Sequence, residues 1–323
     1  MRLHPLLGRL SLAALSTAVT LGLIDACMRL EVGECGLTPF RNSPIDQLPH
    51  ELAPGRATTY KGVPVRINRA GFRGAEWGEP EPGVERIALI GDSLTFGNGV
   101  SEEETLSAAL ELELARRGRA ARVLNCGVPG YNAENVLALA RERVLALSPA
   151  RVIYVMVAND VSPTPARKAV IPADARIDAC AQFPLRSPLL QLVNLRASAI
   201  LRAFGFELGG YVDMINAHFE NGGGERVGRT LAELQRMCAG RGIGFLAVVY
   251  PFLIRADRNP FRSIEEDYVR RCEELAIPCI RAIDAFAPGE ELARFWVAPL
   301  DSHPDGEAHR SVATLIAGRL LAR

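Results

Sequence analysis

The apolar run Ile87-Ala88-Leu89-Ile90 stops abruptly at Gly91-Asp92-Ser93, and Gly97 and Gly99 follow closely. A short, wholly apolar run bounded by turn residues reads as a strand buried on both faces. Spacing then switches to the helical period, with Leu106, Leu110 and Leu114 on one face of a helix expected over 102–117. The same alternation recurs down the chain. Strands are expected at 122–125, 151–157, 244–250 and 278–283, and helices at 133–147, 227–241, 264–275 and 306–321. Strands alternating with helices imply an α/β fold, with a parallel sheet of about five strands and right-handed crossovers. Such a sheet carries its chemistry in the loops outside the carboxyl ends of its strands. Ser93 stands in the first of those loops.

The alternation is interrupted once. Residues 161–229 contain prolines, a helix expected around 189–204 and the glycine-rich Asn221-Gly222-Gly223-Gly224, which reads as flexible, and the whole reads as an insertion over the binding face. Residues 31–84 are rich in proline, glycine and arginine and read as an irregular extension packed on the domain at 85–323. Ahead of them, Arg2 and Arg9 precede an apolar run over 10–24. A positive start followed by an apolar stretch reads as a signal-anchor within residues 1–30, with a cleaved signal peptide and then lipidation at Cys27 as alternatives and a buried helix as the structural one. Either export route places the bulk of the chain outside the cytoplasm, with the membrane touched through this segment only.

Charge excludes several partners. Lys+Arg and Asp+Glu are both 37, so no basic excess points to nucleic acid. Seven cysteines are scattered without a CxxC pair, which argues against zinc. Without Cys27 their number is even, compatible with disulfides; buried free thiols suit Cys126 and Cys279 equally well. No histidine clusters with carboxylates or cysteines at metal-ligand spacing, and no cofactor is expected. The glycine-rich turn lacks a P-loop lysine, so nucleotide binding is a poor reading.

Taken alone, Gly91-Asp92-Ser93 is ordinary helix-start chemistry, since serine is a favoured N-cap. Three later segments change its meaning. Asn125-Cys126-Gly127-Val128-Pro129-Gly130 follows the second strand, Ala158-Asn159-Asp160 follows the third, and Asp301-Ser302-His303-Pro304 lies in a late loop. All can converge on the edge that carries Ser93. Acyl transfer needs these residue types: Ser93 as nucleophile, His303 as base and Asp301 to orient the imidazole. The backbone N–H groups of Ser93 and Gly127 and the side-chain amide of Asn159 could form an oxyanion hole. Gly127 suits that role because no Cβ blocks the substrate. Asp305 is better placed to cap the final helix, and His309 within it reads as structural.

The order of these segments resembles the SGNH hydrolases, the GDSL esterase/lipase family. The resemblance runs from about Asn68 to the C-terminus and rests on Gly91-Asp92-Ser93-Leu94-Thr95-Phe96-Gly97, the Asn125 segment, Asn159-Asp160 and Asp301-Ser302-His303-Pro304. Ile67-Asn68-Arg69-Ala70-Gly71-Phe72-Arg73-Gly74 is similar to a segment that often precedes the catalytic domain in exported members. The resemblance implies a flavodoxin-like three-layer α/β/α sandwich and names Ser93, Gly127, Asn159 and His303 as the family's four residues. Two departures stand out. Val157 replaces the glycine of the third block. Leu300 occupies the usual acid position of an Asp-x-x-His block, with Asp301 one residue closer to His303. The expected function is an extracytoplasmic serine esterase acting on short acyl, foremost acetyl, esters, with carbohydrate as a plausible alcohol. An O-acyltransferase of envelope or exported polysaccharide would use the same residues. A non-catalytic scaffold would not need them.

Overall fold

The structure is a computed structural model that describes residues 16–17, 19–23, 37–164, 170–172, 210–298 and 301–322. The chain divides into two compact units. The first comprises Met1–Thr38, Thr59–Gly62 and Asp174–Leu208, and few of its residues are described. The helix expected around 189–204 lies outside the described residues, as does much of the apolar run over 10–24. Among the described residues, no helix is long and apolar enough to cross a membrane. The second unit, Pro39–Thr58, Val63–Ala173 and Gly209–Arg323, contains every element below.

Its centre is the expected sheet. Strands β1 (Glu85–Gly91), β2 (Ala121–Gly127), β3 (Arg151–Met156), β4 (Gly244–Val249) and β5 (Cys279–Arg281) lie in the order β2-β1-β3-β4-β5. Every neighbouring pair is parallel, with Gly91 opposite Gly127 and Ile90 opposite Tyr154. The chain passes from β1 to β2 on one side and then crosses to β3 on the other. That reversal opens a crevice at the carboxyl ends of β1 and β3, the point where a flavodoxin-like sheet binds its ligand.

Alternation along each strand assigns the two faces. Ile87, Leu89, Ile153, Val155, Leu246 and Val248 share one buried cluster with helices α2 (Leu106–Arg116) and α7 (Gly306–Leu321). Helices α3 (Ala133–Leu139), α5 (Gly224–Ala239) and α6 (Arg262–Glu274) form the layer on the other face. Thr105 caps α2, its hydroxyl accepting the Ala108 N–H, which starts this helix later than its periodicity alone implies. The capping expected of Asp305 is present: its carboxylate accepts the Ala308 N–H at 2.9 Å.

The glycine-rich Asn221–Gly224 segment is not a loose linker. It is a kink between α4 (Tyr211–His218) and α5, with Gly222 at φ +81° and Gly223 against Val161, where a Cβ would meet the valine Cβ at 2.6 Å. Residues 39–58 and 63–84 are likewise anchored. Phe40–Arg41 pairs antiparallel with Glu51–Leu52, and Leu48, Leu52, Ile67 and Phe72 are buried. Among the described cysteines, Cys126, Cys238, Cys272 and Cys279 are free thiols.

His309 of α7 is fully buried and packs edge-on against Tyr250, and among the described residues neither ring nitrogen has a partner. Burial first, then the charges of Arg73, His303 and Arg310, pushes its imidazole down to about 3. An unfolded chain takes up this proton below about pH 6.5, while the folded chain refuses it. Stability contributed here is therefore lost as pH falls through that window. His309→Phe removes the site of protonation, so its thermal midpoint relative to wild type should rise as pH is lowered from about 7 to about 4. A constant difference across that range would contradict the assignment.

Candidate active site

Ser93 opens α1 (Ser93–Phe96), a single helical turn placed directly after β1. Asp92 is its N-cap, with Oδ1 accepting the Leu94 N–H at 2.9 Å. Gly97 closes it in the left-handed region, at φ +89°, and its N–H returns to the Ser93 and Leu94 carbonyls. Among the described residues the Ser93 backbone N–H has no acceptor, as expected for the first residue of a helix. Ser93 itself lines the crevice.

His303 reaches this point from an element that the sequence pattern presents as a loop. Asp301–Pro304 is a strand, β7, paired antiparallel with β6 (Trp296–Ala298). Side chains two apart on a strand share a face. Asp301 and His303 therefore point the same way, and the Asp301 carboxylate bonds His303 Nδ1. The same carboxylate oxygen accepts the His303 backbone N–H at 3.2 Å. His303 Nε2 lies 2.9 Å from Ser93 Oγ. The three side chains form one continuous relay, with Asp301 and His303 each about one-quarter exposed. Leu300, at the family's usual acid position, lies outside the described residues.

Asn159 follows β3, the strand beside β1, and its Nδ2 donates to Asp92 Oδ2 at 3.1 Å. That bond ties the amide to the residue before Ser93, and among the described residues its second N–H has no acceptor. Asp92 thus holds both α1 and Asn159. Its second task is invisible in sequence, because the partner is 67 residues away. Asp160, next along the chain, is buried and accepts the Val157 N–H at 3.0 Å. Burial, with the Asp92 charge second, pushes its carboxyl well above the usual carboxylate range.

Gly127 is placed differently from its expected role. Its N–H donates to Asn125 Oδ1 at 3.2 Å, and it is buried away from the crevice. A Cβ here would lie 2.2 Å from the Phe96 backbone nitrogen and 2.6 Å from the Thr95 carbonyl carbon. Glycine is required here because α1 rests on this backbone.

The crevice is a cavity of about 290 Å³. Ser93, Asn159 and His303 sit in its wall beside Val157, Tyr250 and Leu253, with Tyr211 and Phe252 among the other lining residues. Val157, the residue that replaces a glycine, takes space next to Ser93. Asn98, which the sequence reading missed, is 4% exposed and brings its amide nitrogen to 3.4 Å from His303 Nε2. Among the described residues there is no group of three or more His, Cys, Asp or Glu side chains able to hold a metal ion.

A strand-to-helix serine, an imidazole and a carboxylate at a parallel-sheet switch point define a serine-dependent acyl hydrolase. The sequence model of the GDSL-like lipase/acylhydrolase family matches residues 89–310, and the chain belongs to that family. It is also similar to LAE5, an α/β hydrolase from the metagenome of Lake Arreo, Spain (18% identity, 74% of this chain and 97% of that chain, TM-score 0.45). A catalytic mutant of Axe2, an acetylxylan esterase from Geobacillus stearothermophilus, gives 17% identity over 75% of this chain and 97% of that chain, TM-score 0.45. A GDSL-like lipase from Bacteroides thetaiotaomicron VPI-5482 gives 15% identity over 76% and 93%, TM-score 0.43. No curated protein matches the chain.

Asp301→Asn tests the short acid–histidine spacing. The amide cannot accept Nδ1–H and stabilise an imidazolium as a carboxylate does, so kcat toward an activated ester should fall by about a thousandfold or more. A loss of under about threefold in a folded variant would show that Asp301 does not orient His303.

Proposed function

We propose that the protein is a serine esterase that removes short acyl groups, foremost acetyl, from carbohydrate esters through an acyl-serine intermediate. The relay from Ser93 Oγ through His303 to Asp301 carries this reading. His303 Nε2 takes the Ser93 proton as Oγ attacks the ester carbonyl. Asp301 accepts Nδ1–H throughout and stabilises the imidazolium. The carbonyl oxygen, now an oxyanion, is met by the Ser93 N–H and the free N–H of Asn159. Each such donor lowers the barrier by about 2.7–4 kcal/mol. Collapse expels the alcohol, which takes the proton from His303. A water then repeats the sequence on the acyl-enzyme and frees the acid.

The size limit comes from Val157. Its side chain fills space beside Ser93 that a glycine would leave open, which suits a short acyl group. Tyr211 and Phe252 line the same cavity, and aromatic rings there suit the CH faces of a sugar. The proposed setting is extracytoplasmic, supported by Arg2 and Arg9 ahead of the apolar residues 10–24.

A series of p-nitrophenyl esters tests the reaction. Acetate should give the highest kcat/KM and octanoate a value at least about tenfold lower. Val157→Gly should narrow that gap, and Ser93→Ala should lose about a thousandfold or more. Octanoate equal to acetate would remove the acyl-length reading; undiminished Ser93→Ala would remove the mechanism. Export is tested by fusing residues 1–30 to alkaline phosphatase, which folds to activity only in an oxidising compartment. An active fusion is expected, and an inactive one would contradict export.

A further inference from the structure

Arg73 lies upstream of the residues that match the family, yet its side chain ends beneath the Ser93 turn. It is 2% exposed and among the largest fully buried side chains. Nη1 donates to the Phe96 carbonyl at 3.0 Å and to the Gly97 carbonyl, and Nη2 donates to the Val100 carbonyl at 2.6 Å. The guanidinium carbon also stands 4.9 Å from the centre of the Phe96 ring. These carbonyls belong to the end of α1 and the loop after it, where helical oxygens lack chain partners and positive charge is favoured. Burial pushes the guanidinium down to about 10, opposed by Glu102 and Glu103, so it remains charged at neutral pH.

The pinned loop reaches the reacting groups. Asn98, between two of the held carbonyls, lies 3.4 Å from His303 Nε2. Gly99 presses on Val297 of β6, the strand paired with the one that carries His303, where a Cβ would come within 2.9 Å of the valine. One buried cation therefore ties the end of the Ser93 turn to the loop that touches the histidine hairpin.

We infer that Arg73 is a positioning residue for ester hydrolysis: its guanidinium fixes the Phe96, Gly97 and Val100 carbonyls and so sets Ser93 and Asn98 against His303. The inference rests on the reading of Ser93 as nucleophile. A planar fork is needed to reach three carbonyls at once, so lysine, a point charge on a flexible stem, substitutes poorly.

The test compares wild type, Arg73→Lys, Arg73→Ala and Asn98→Ala in the full chain. A fluorophosphonate measures the rate of Ser93 labelling and counts active sites, and p-nitrophenyl acetate gives kcat and KM. Wild type should label at Ser93; absence of that label would remove the nucleophile reading itself, separately from Arg73. In folded Arg73→Lys and Arg73→Ala, labelling rate and kcat per labelled site should fall at least about tenfold while KM stays within about threefold. Millimolar guanidinium should restore part of the Arg73→Ala loss and leave wild type unchanged. A variant with a lowered melting temperature but wild-type kcat per labelled site would overturn the proposal, as would failure of guanidinium to restore a folded Arg73→Ala. Asn98→Ala retains Arg73 and all its bonds. It should lose at least about threefold in kcat, and wild-type kcat there would overturn the proposal even where neither Arg73 variant folds.

Discussion

A single helical turn cannot hold itself. Helix nucleation fixes several residues for one hydrogen bond, and α1 has only four residues over which to recover that cost. Its conformation is imposed from outside. Asp92 caps its start, Gly97 turns its end, and the Asn125 amide donates to the Phe96 carbonyl at 3.1 Å. Gly127 lets the turn settle directly on β2, and Arg73 gathers the carbonyls beyond it. Being first in a helix leaves the Ser93 N–H unpaired, and that N–H is a proposed oxyanion donor. Support of the fold and preparation for chemistry are here one set of contacts.

The second constraint is one of parity. The family pattern spaces acid and base three residues apart, as Asp-x-x-His. Here the spacing is one residue shorter, and an extended backbone makes it workable. Asp301 and His303 share a strand face, while Ser302 between them takes the other parity. The hairpin with Trp296–Ala298 keeps the backbone extended, and the Trp296 indole N–H anchors it by donating to the Leu253 carbonyl at 2.6 Å. The shift of the acid is thus absorbed by local secondary structure without moving His303 away from Ser93.

Much of this was legible from residues alone. Five expected strands became the five parallel strands; the two central ones stand out because a strand buried on both faces has to be apolar at both parities. The last helix occupies the expected span, and Ser93, Asn159, Asp301 and His303 meet at one edge. What could not be read depends on partners remote in sequence or on very short elements. Gly127 looks like a substrate-facing glycine until the Phe96 nitrogen is seen above it. The 296–304 hairpin has strands of three and four residues, too short to show a period. Gly222 to Gly224 suggest flexibility by composition, but tight approaches to Val161 and Asp267 explain two of them. Arg73 gives no sign of its destination beyond its place in the segment before the first strand.

The central claim is that Ser93 carries the acyl group between two displacement steps. Rapid acid quench of the enzyme with p-nitrophenyl acetate, followed by peptide mass mapping, tests it directly. Acetyl should appear on the peptide containing Ser93 within the first turnover, assigned to Ser93 by fragmentation, and disappear as substrate is exhausted. Turnover with the acetyl group on another residue, or with no acetylated peptide when deacylation is slowed, would contradict the account.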